Sequence, residues 1–263
     1  LCPIGSPNSV TVSGRLIDGA NGLPLSGAYA ELRFGHYLPI PQGLLLGGAA
    51  FMDPTDSQGN FAMSAQNSCY FLMGRTPGYL PSPLDPLGYL PPGTSKAVQD
   101  VALTPFPASA FTVAFTWTSP QPFTNFDMDG HGTGPDGLGG RFHVWFGNQG
   151  SSSAPPFTSQ DWDDNGSTGL EQITVWQPVA GVYRFSLHNF TAKDSVNSVG
   201  LSLSGARVRV FQGSTMIQQF VVPNQAGNLW TVFEWDGTTI TPVNLMSDVA
   251  DPTTIQGTTG AID

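Results

Sequence analysis

Apolar and polar residues alternate with a period of two in short runs along most of the chain. Val10-Thr-Val-Ser-Gly-Arg-Leu-Ile17 follows that pattern, as a half-buried strand does, and Gly27-Ala-Tyr-Ala-Glu-Leu-Arg-Phe34 reads as the next strand. The turn clusters Asp18-Gly-Ala-Asn-Gly22 and Asp56-Ser-Gln-Gly59 punctuate this part, and Phe61-Ala-Met63, Cys69-Tyr-Phe-Leu-Met73 and Val98-Gln-Asp-Val-Ala-Leu103 continue it. Six prolines between 76 and 93 forbid a central strand there and predict a fixed loop or an edge cover. Further along, Phe111-Thr-Val-Ala-Phe-Thr-Trp117 places Phe111, Val113, Phe115 and Trp117 on one face. Strand-like runs recur at 141–146, 172–176, 181–188, 206–211, 216–222 and 229–235. No stretch shows helical periodicity. The chain is predicted to be all-β: two antiparallel β-sandwich domains, the first transthyretin-like or Ig-like, the second a jelly-roll or Ig-like sandwich.

Composition divides the chain where the strand pattern pauses. All 6 Trp lie beyond position 105, whereas five of the 6 Tyr lie before it. Thr104-Pro-Phe-Pro-Ala-Ser109 is a proline-bearing connector between the two parts. The expected organisation is a first domain over 1–104, an acidic, Trp-rich domain over 105–246, and a segment over 247–263. That last segment has no aromatic residue and reads as an extended tail, or as an arm adding a strand to a neighbouring subunit. With 32 Gly and 23 Pro in 263 residues, a helical bundle is excluded.

Two resemblances accompany these patterns. Gly14-Arg-Leu-Ile-Asp18, Gly22-Leu-Pro-Leu-Ser-Gly-Ala28, Asp56-Ser-Gln-Gly-Asn-Phe61 and Pro77-Gly-Tyr79 occur in the order found in the carboxypeptidase regulatory-like domain. The likeness covers about residues 8–104, with a long insertion near 36–52, and implies a transthyretin-like accessory or spacer sandwich without catalysis. In the second part, Phe126-Asp-Met-Asp-Gly-His131, Asp161-Trp-Asp-Asp-Asn-Gly166, Gly169-Leu-Glu-Gln-Ile-Thr174 and Gly181-Val-Tyr-Arg-Phe-Ser-Leu-His-Asn-Phe190 resemble bacterial and archaeal surface β-sandwiches, related in style to the domains that follow secreted peptidases. Gly130-His-Gly-Thr-Gly-Pro-Asp-Gly137 departs from that pattern and reads as a glycine-rich expansion that loosens the first acidic segment.

Charge narrows the choice of partners. Lys and Arg number 9 against 19 Asp and Glu, a net charge of −10, which argues against nucleic acid and anionic membrane surfaces. No apolar run is long enough to insert in a bilayer. The chain begins at Leu1, for which a removed secretory leader is the simplest account. Cys2 and Cys69 would pair in an oxidising compartment and stay free in a reducing cell; the lysine-poor composition favours the former. Asn165-Gly-Ser and Asn189-Phe-Thr are sequons.

The chemistry-bearing residues are acidic. Asp127, Asp129, Asp163 and Glu171 gather in loops between predicted strands, and Ca²⁺, which takes six to eight oxygen ligands, would relieve their repulsion. The alternative is a set of solvated turn carboxylates. His131, His143 and His188 read as scattered, which disfavours a transition-metal centre. Gly130-His-Gly-Thr133 echoes the histidine segment of subtilisin-like proteases, but the α/β scaffold that such chemistry needs is missing. Trp162 and Trp235 are the candidates for ligand contact, whereas Trp117, Trp145 and Trp176 share parity with core positions. The resulting expectation is a secreted, non-enzymatic structural protein of a microbial surface or matrix. It would be stabilised by calcium, and would self-assemble with copies of itself or adhere to other cell-surface components. The alternative is a polysaccharide- or protein-binding accessory module of a secreted hydrolase.

Overall fold

The computed structural model of the chain describes residues 5–37, 44–118, 126–166 and 168–255. It divides into two compact units, Leu1–Phe106 and Pro107–Asp263, so the boundary falls within the proline-bearing connector.

Among the described residues the first unit holds nine strands: β1 (Val10–Asp18), β2 (Tyr29–Tyr37), β3 (Leu44–Pro54), β4 (Asn60–Ala65), β5 (Ser68–Arg75), β6 (Tyr79–Leu80), β7 (Asp85–Leu90), β8 (Ser95–Ala97) and β9 (Val101–Pro105). One sheet runs β4-β1-β9-β6, with β8 also on β1, and the other runs β3-β2-β5-β7. The β1–β8 and β1–β9 pairs are parallel. Alternate residues of both sheets point inward and form one core: Val10, Val12 and Leu16 from β1, Leu32 from β2, Phe61 and Met63 from β4, Tyr70 and Leu72 from β5. The six-proline stretch supplies β6 and β7, each at the edge of its sheet, where a missing N–H breaks no ladder. The insertion near 36–52 contributes β3, whose Leu44–Pro54 pairs antiparallel with β2. Cys69 lies on β5 opposite Tyr89; Cys2, its expected partner, is outside the described residues.

The described residues of the second unit form β10 (Phe111–Thr118), β11 (Met128–Pro135), β12 (Arg141–Val144), β13 (Gly150–Ser151), β14 (Thr158–Gln160), β15 (Thr168–Val175), β16 (Tyr183–Asn189), β17 (Arg207–Gln212), β18 (Thr215–Val221), β19 (Leu229–Trp235) and β20 (Ile240–Ser247), with the short α-helix α1 (Gly200–Leu203). Two sheets, β13-β14-β15-β10-β17-β18 and β12-β11-β16-β19-β20, enclose an aromatic core that includes Phe111, Phe115, Trp117, Phe185, Trp230 and Phe233. The all-β, two-sandwich expectation therefore holds.

The glycine-rich segment is not loose: it is β11, an inner strand. Gly130, Gly132 and Gly134 fall on one face and Asp129, His131 and Thr133 on the other. The glycine face is pressed against side chains. A Cβ on Gly130 would come 2.7 Å from Phe115, one on Gly132 3.1 Å from Ile173, and one on Gly134 2.4 Å from Tyr183. The glycines thus take the apolar places of an ordinary alternating strand, and the absent side chains let the sheets close.

Trp235 is a core residue, not a ligand contact. It is 5% exposed and stacks on Phe111 with ring centroids 3.7 Å apart. Ser247 to Ile255, the first part of the segment expected as a tail or arm, is held on this unit. Val249 N–H donates to Asn228 Oδ1 at 2.7 Å, Asn197 N–H donates to Asp248 Oδ2 at 2.9 Å, and Ile255 is buried. Residues 256–263 lie outside the described residues. Asn189 is buried and its side chain caps the 3-10 turn Phe190–Ala192, whereas Asn165 is exposed.

Candidate metal centre

Glu171 joins the two sheets of the second unit. β12 pairs with β11 only from Gly132 onward, so the Gly130 N–H lies beyond the end of that ladder. Glu171, on β15, takes it: Gly130 N–H donates to Oε2 at 2.7 Å, and Asp164 N–H donates to Oε1 at 3.1 Å. The 161–166 loop is organised by its own carboxylates. Asp161 Oδ1 accepts from the N–H groups of Trp162 and Gln172, and Asp164 accepts from those of Gly166 and Leu170. Trp117 Nε1–H donates to the Gly166 carbonyl at 3.0 Å and ties the loop's end to the core. Asp161 and Asp164 therefore shape the loop, which leaves Asp163 to turn toward Asp129.

Asp129, Asp163 and Glu171 each bring a carboxylate oxygen to within 4.8 Å of the others. Three of the four residues expected to bind calcium are thus together. Asp127, the fourth, stands outside this group; the Asn165 side-chain amide lies between it and Asp163, 3.5 and 3.4 Å from their oxygens. Asp129 is 1% exposed and Glu171 is fully buried. Neither oxygen of Asp129 meets a hydrogen-bond partner among the described residues. Burial, and then the charges of Asp127 and Asp163, push the Asp129 carboxyl above the ordinary range, and burial, then Asp129, does the same to Glu171. Burial and the neighbouring Asp163 raise Asp127 to about 6.

The histidines are not scattered. His131 and His188 share a second group with Asp129, their donor atoms again within 4.8 Å of one another. Asp129 and His131 are two apart on β11, and His188 stands directly opposite Asp129 in the β11–β16 ladder, so register places all three on one face. His131 Nδ1 lies 2.8 Å from His143 Nε2, and His188 Nε2 lies 2.9 Å from the Val249 carbonyl oxygen. Trp145 stacks over both His131 and His143, at 5.9 and 5.6 Å between centroids. Burial, followed by the neighbouring histidines, lowers the pKa of His131, and burial also lowers that of His188. His188 stands 57 residues from His131 and 59 from Asp129 in sequence, which hides this grouping, and only strand pairing creates it. Asp129-Gly-His131-Gly-Thr133 carried a signal in its two-residue period, once glycine is counted as a packing residue. Trp162, the remaining candidate for ligand contact, is half-buried in the same loop.

No family model matches the chain, and no curated protein matches it. Solved structures similar to it include a protein of unknown function, SAV2460, at 15% identity, covering 59% of this chain and 98% of that one with a TM-score of 0.43. The C-terminal domain of the shaft pilin SpaA from Lactobacillus rhamnosus GG is 14% identical, covering 36% of this chain and 96% of its own with a TM-score of 0.25. A DUF3823 family protein from Parabacteroides merdae is 12% identical, covering 68% and 89% with a TM-score of 0.24.

Proposed function

We propose that the chain is a non-catalytic structural protein of a microbial cell surface or extracellular matrix, and that calcium held by Asp129, Asp163 and Glu171 braces its second β-sandwich. The observation that carries this reading is enclosure. Asp129 and Glu171 are sealed between strands, and of the three carboxylates only Asp163 is partly exposed. A catalytic carboxylate has to meet a substrate, whereas a structural ion needs only oxygens. Calcium takes six to eight of them, and both oxygens of Asp129 are without a partner among the described residues. An ion there converts carboxylate repulsion into cross-sheet attraction, because Glu171 belongs to one sheet and Asp129 to the other.

An extracellular setting accords with the lysine-poor composition and with a Cys2–Cys69 disulfide as part of this reading. No helix among the described residues is long and apolar enough to cross a membrane. Association with further copies is supported by β18, an edge strand that leaves Met216, Ile217 and Val221 exposed. The polysaccharide-binding alternative retains Trp162 alone, since Trp235 is in the core. Thermal melting in a chelator and in added Ca²⁺ tests the brace. Calcium is expected to raise the melting temperature, and Glu171→Gln to abolish the rise. A melting curve indifferent to both chelator and calcium would remove the ion from this account.

A further inference from the structure

We infer that Asp129, His131 and His188 form a second cation subsite, which takes a divalent transition-metal ion of the zinc class through an Asp129 oxygen, His131 Nε2 and His188 Nδ1. Four atoms carry the argument. Asp129 Oδ1 and Oδ2, His131 Nε2 and His188 Nδ1 are all buried, and none has a hydrogen-bond partner among the described residues. Buried polar atoms are almost always paired, so a cluster of four orphans calls for an occupant. All four are of a kind that donates a lone pair to a metal.

The tautomers agree. The Val249 carbonyl oxygen can only accept, so His188 Nε2 carries the proton and Nδ1 presents a bare lone pair. On the other ring, a proton on His131 Nδ1 directed at His143 Nε2 leaves His131 Nε2 bare. A ligating histidine commonly donates its other N–H to a carbonyl or a further acceptor, which fixes the ring and raises its basicity. Val249 and His143 occupy those positions, and Trp145 stacked on His131 restrains its ring.

Imidazole nitrogen selects zinc, cobalt and their neighbours over calcium, a hard cation that takes oxygen. Two nitrogens and one carboxylate oxygen supply three tetrahedral positions, and a trapped water suits the fourth. This subsite shares only Asp129 with the calcium group, so the two readings stand or fall separately.

The test uses the full chain, stripped of metal and titrated with Co²⁺ and then Zn²⁺. About one cobalt per chain is expected, with visible ligand-field bands that zinc abolishes. His131→Gln and His188→Gln should each weaken cobalt binding at least about 100-fold, beyond the loss typical of an outer-shell change. His36→Gln, in the other unit, should leave binding unchanged, and Glu171→Gln should keep the cobalt bands while losing the calcium response. Nitrogen NMR of the unmutated chain serves if the variants fail to fold, with zinc shifting the ring nitrogens of His131 and His188. No cobalt bound by the folded chain, bands that survive both His→Gln changes, or zinc-induced shifts confined to His36 would each overturn the inference.

Discussion

Asp129 and His188 are directly opposed residues of the β11–β16 ladder, both are buried, and each presents an atom with no hydrogen-bond partner among the described residues. Within one stretch of sheet, a carboxylate and an imidazole thus stand together on one buried face, with donor atoms within 4.8 Å of one another. Without a cation, Asp129 also stands beside Glu171, whose burial it shares.

The first prediction follows from that arrangement. In chelator, Asp129→Asn should stabilise the protein by about 1 kcal/mol or more, because it removes one of two buried, mutually repelling carboxylates. With calcium or zinc present the order should reverse, since the variant loses the ligand common to both groups. Urea unfolding with and without metal reads both signs. Destabilisation of equal size in the two conditions would mean that Asp129 serves packing alone.

The first unit contains a different buried charge group. Glu31 accepts from Arg33 Nη2 at 2.7 Å and from Arg75 Nη1 at 3.0 Å, and all three side chains are buried. Glu31→Gln keeps the shape but takes away the carboxylate that both guanidinium groups share. Breaking a buried ion group by removing one partner costs about 3–5 kcal/mol, so a loss of that order is expected in chemical denaturation. Arg15→Gln should cost far less, because its partner Asp100 is exposed and water screens the pair.

Strand existence was legible where side chains alternate, as at Val10–Asp18 and Phe111–Thr118, because burial of one face writes a period of two into the sequence. It was hidden at β11, where the packing face is glycine and the other face is Asp, His and Thr, a pattern that reads as a glycine-rich expansion until glycine is counted as a packing residue. Nor was it legible at β20, where Pro242 and the left-handed Asn244 sit in an edge strand. The acidic half of the candidate site could be read because Asp129 and Asp163 sit in locally acidic segments, although the same spacing also drew in Asp127, which stands outside the group. The imidazole half depends on a pairing register between β11 and β16, and no local pattern encodes that. Trp235 looked available because it ends a strand, yet the end of β19 lies over Phe111.

The glycine face of β11 gives a third prediction. Gly134→Ala would bring a methyl group to 2.4 Å from Tyr183, and Gly130→Ala one to 2.7 Å from Phe115. Real Cβ atoms do not approach so closely, and both neighbours are rings packed in the core, so the surroundings have to shift. Overpacking of this kind typically costs about 1–3 kcal/mol. Gly132→Ala meets the Ile173 methyl at 3.1 Å and should cost less. Equal tolerance of all three in thermal melts would contradict the close approach of the sheets here.

The last prediction concerns pH and the turn before β4. Asp56 accepts from the Asn60 N–H at 2.8 Å, the Asn60 side-chain amide at 3.1 Å and the Gln58 N–H at 2.8 Å. These bonds, that from the Asn60 backbone foremost, hold its carboxyl below the ordinary value of 3.8. A carboxyl held lower in the folded chain than in the unfolded one adds stability that is present above its unfolded pKa and disappears as pH falls through its folded value. Asp56→Asn, a neutral side chain of the same shape, should therefore melt below the unmutated protein at pH 7. The gap should stay constant down to about pH 4 and close below it, as the native carboxyl takes up its proton. Paired thermal melts across that range provide the check, and a gap that persists undiminished at the acid end would show that the turn depends on shape and not on charge.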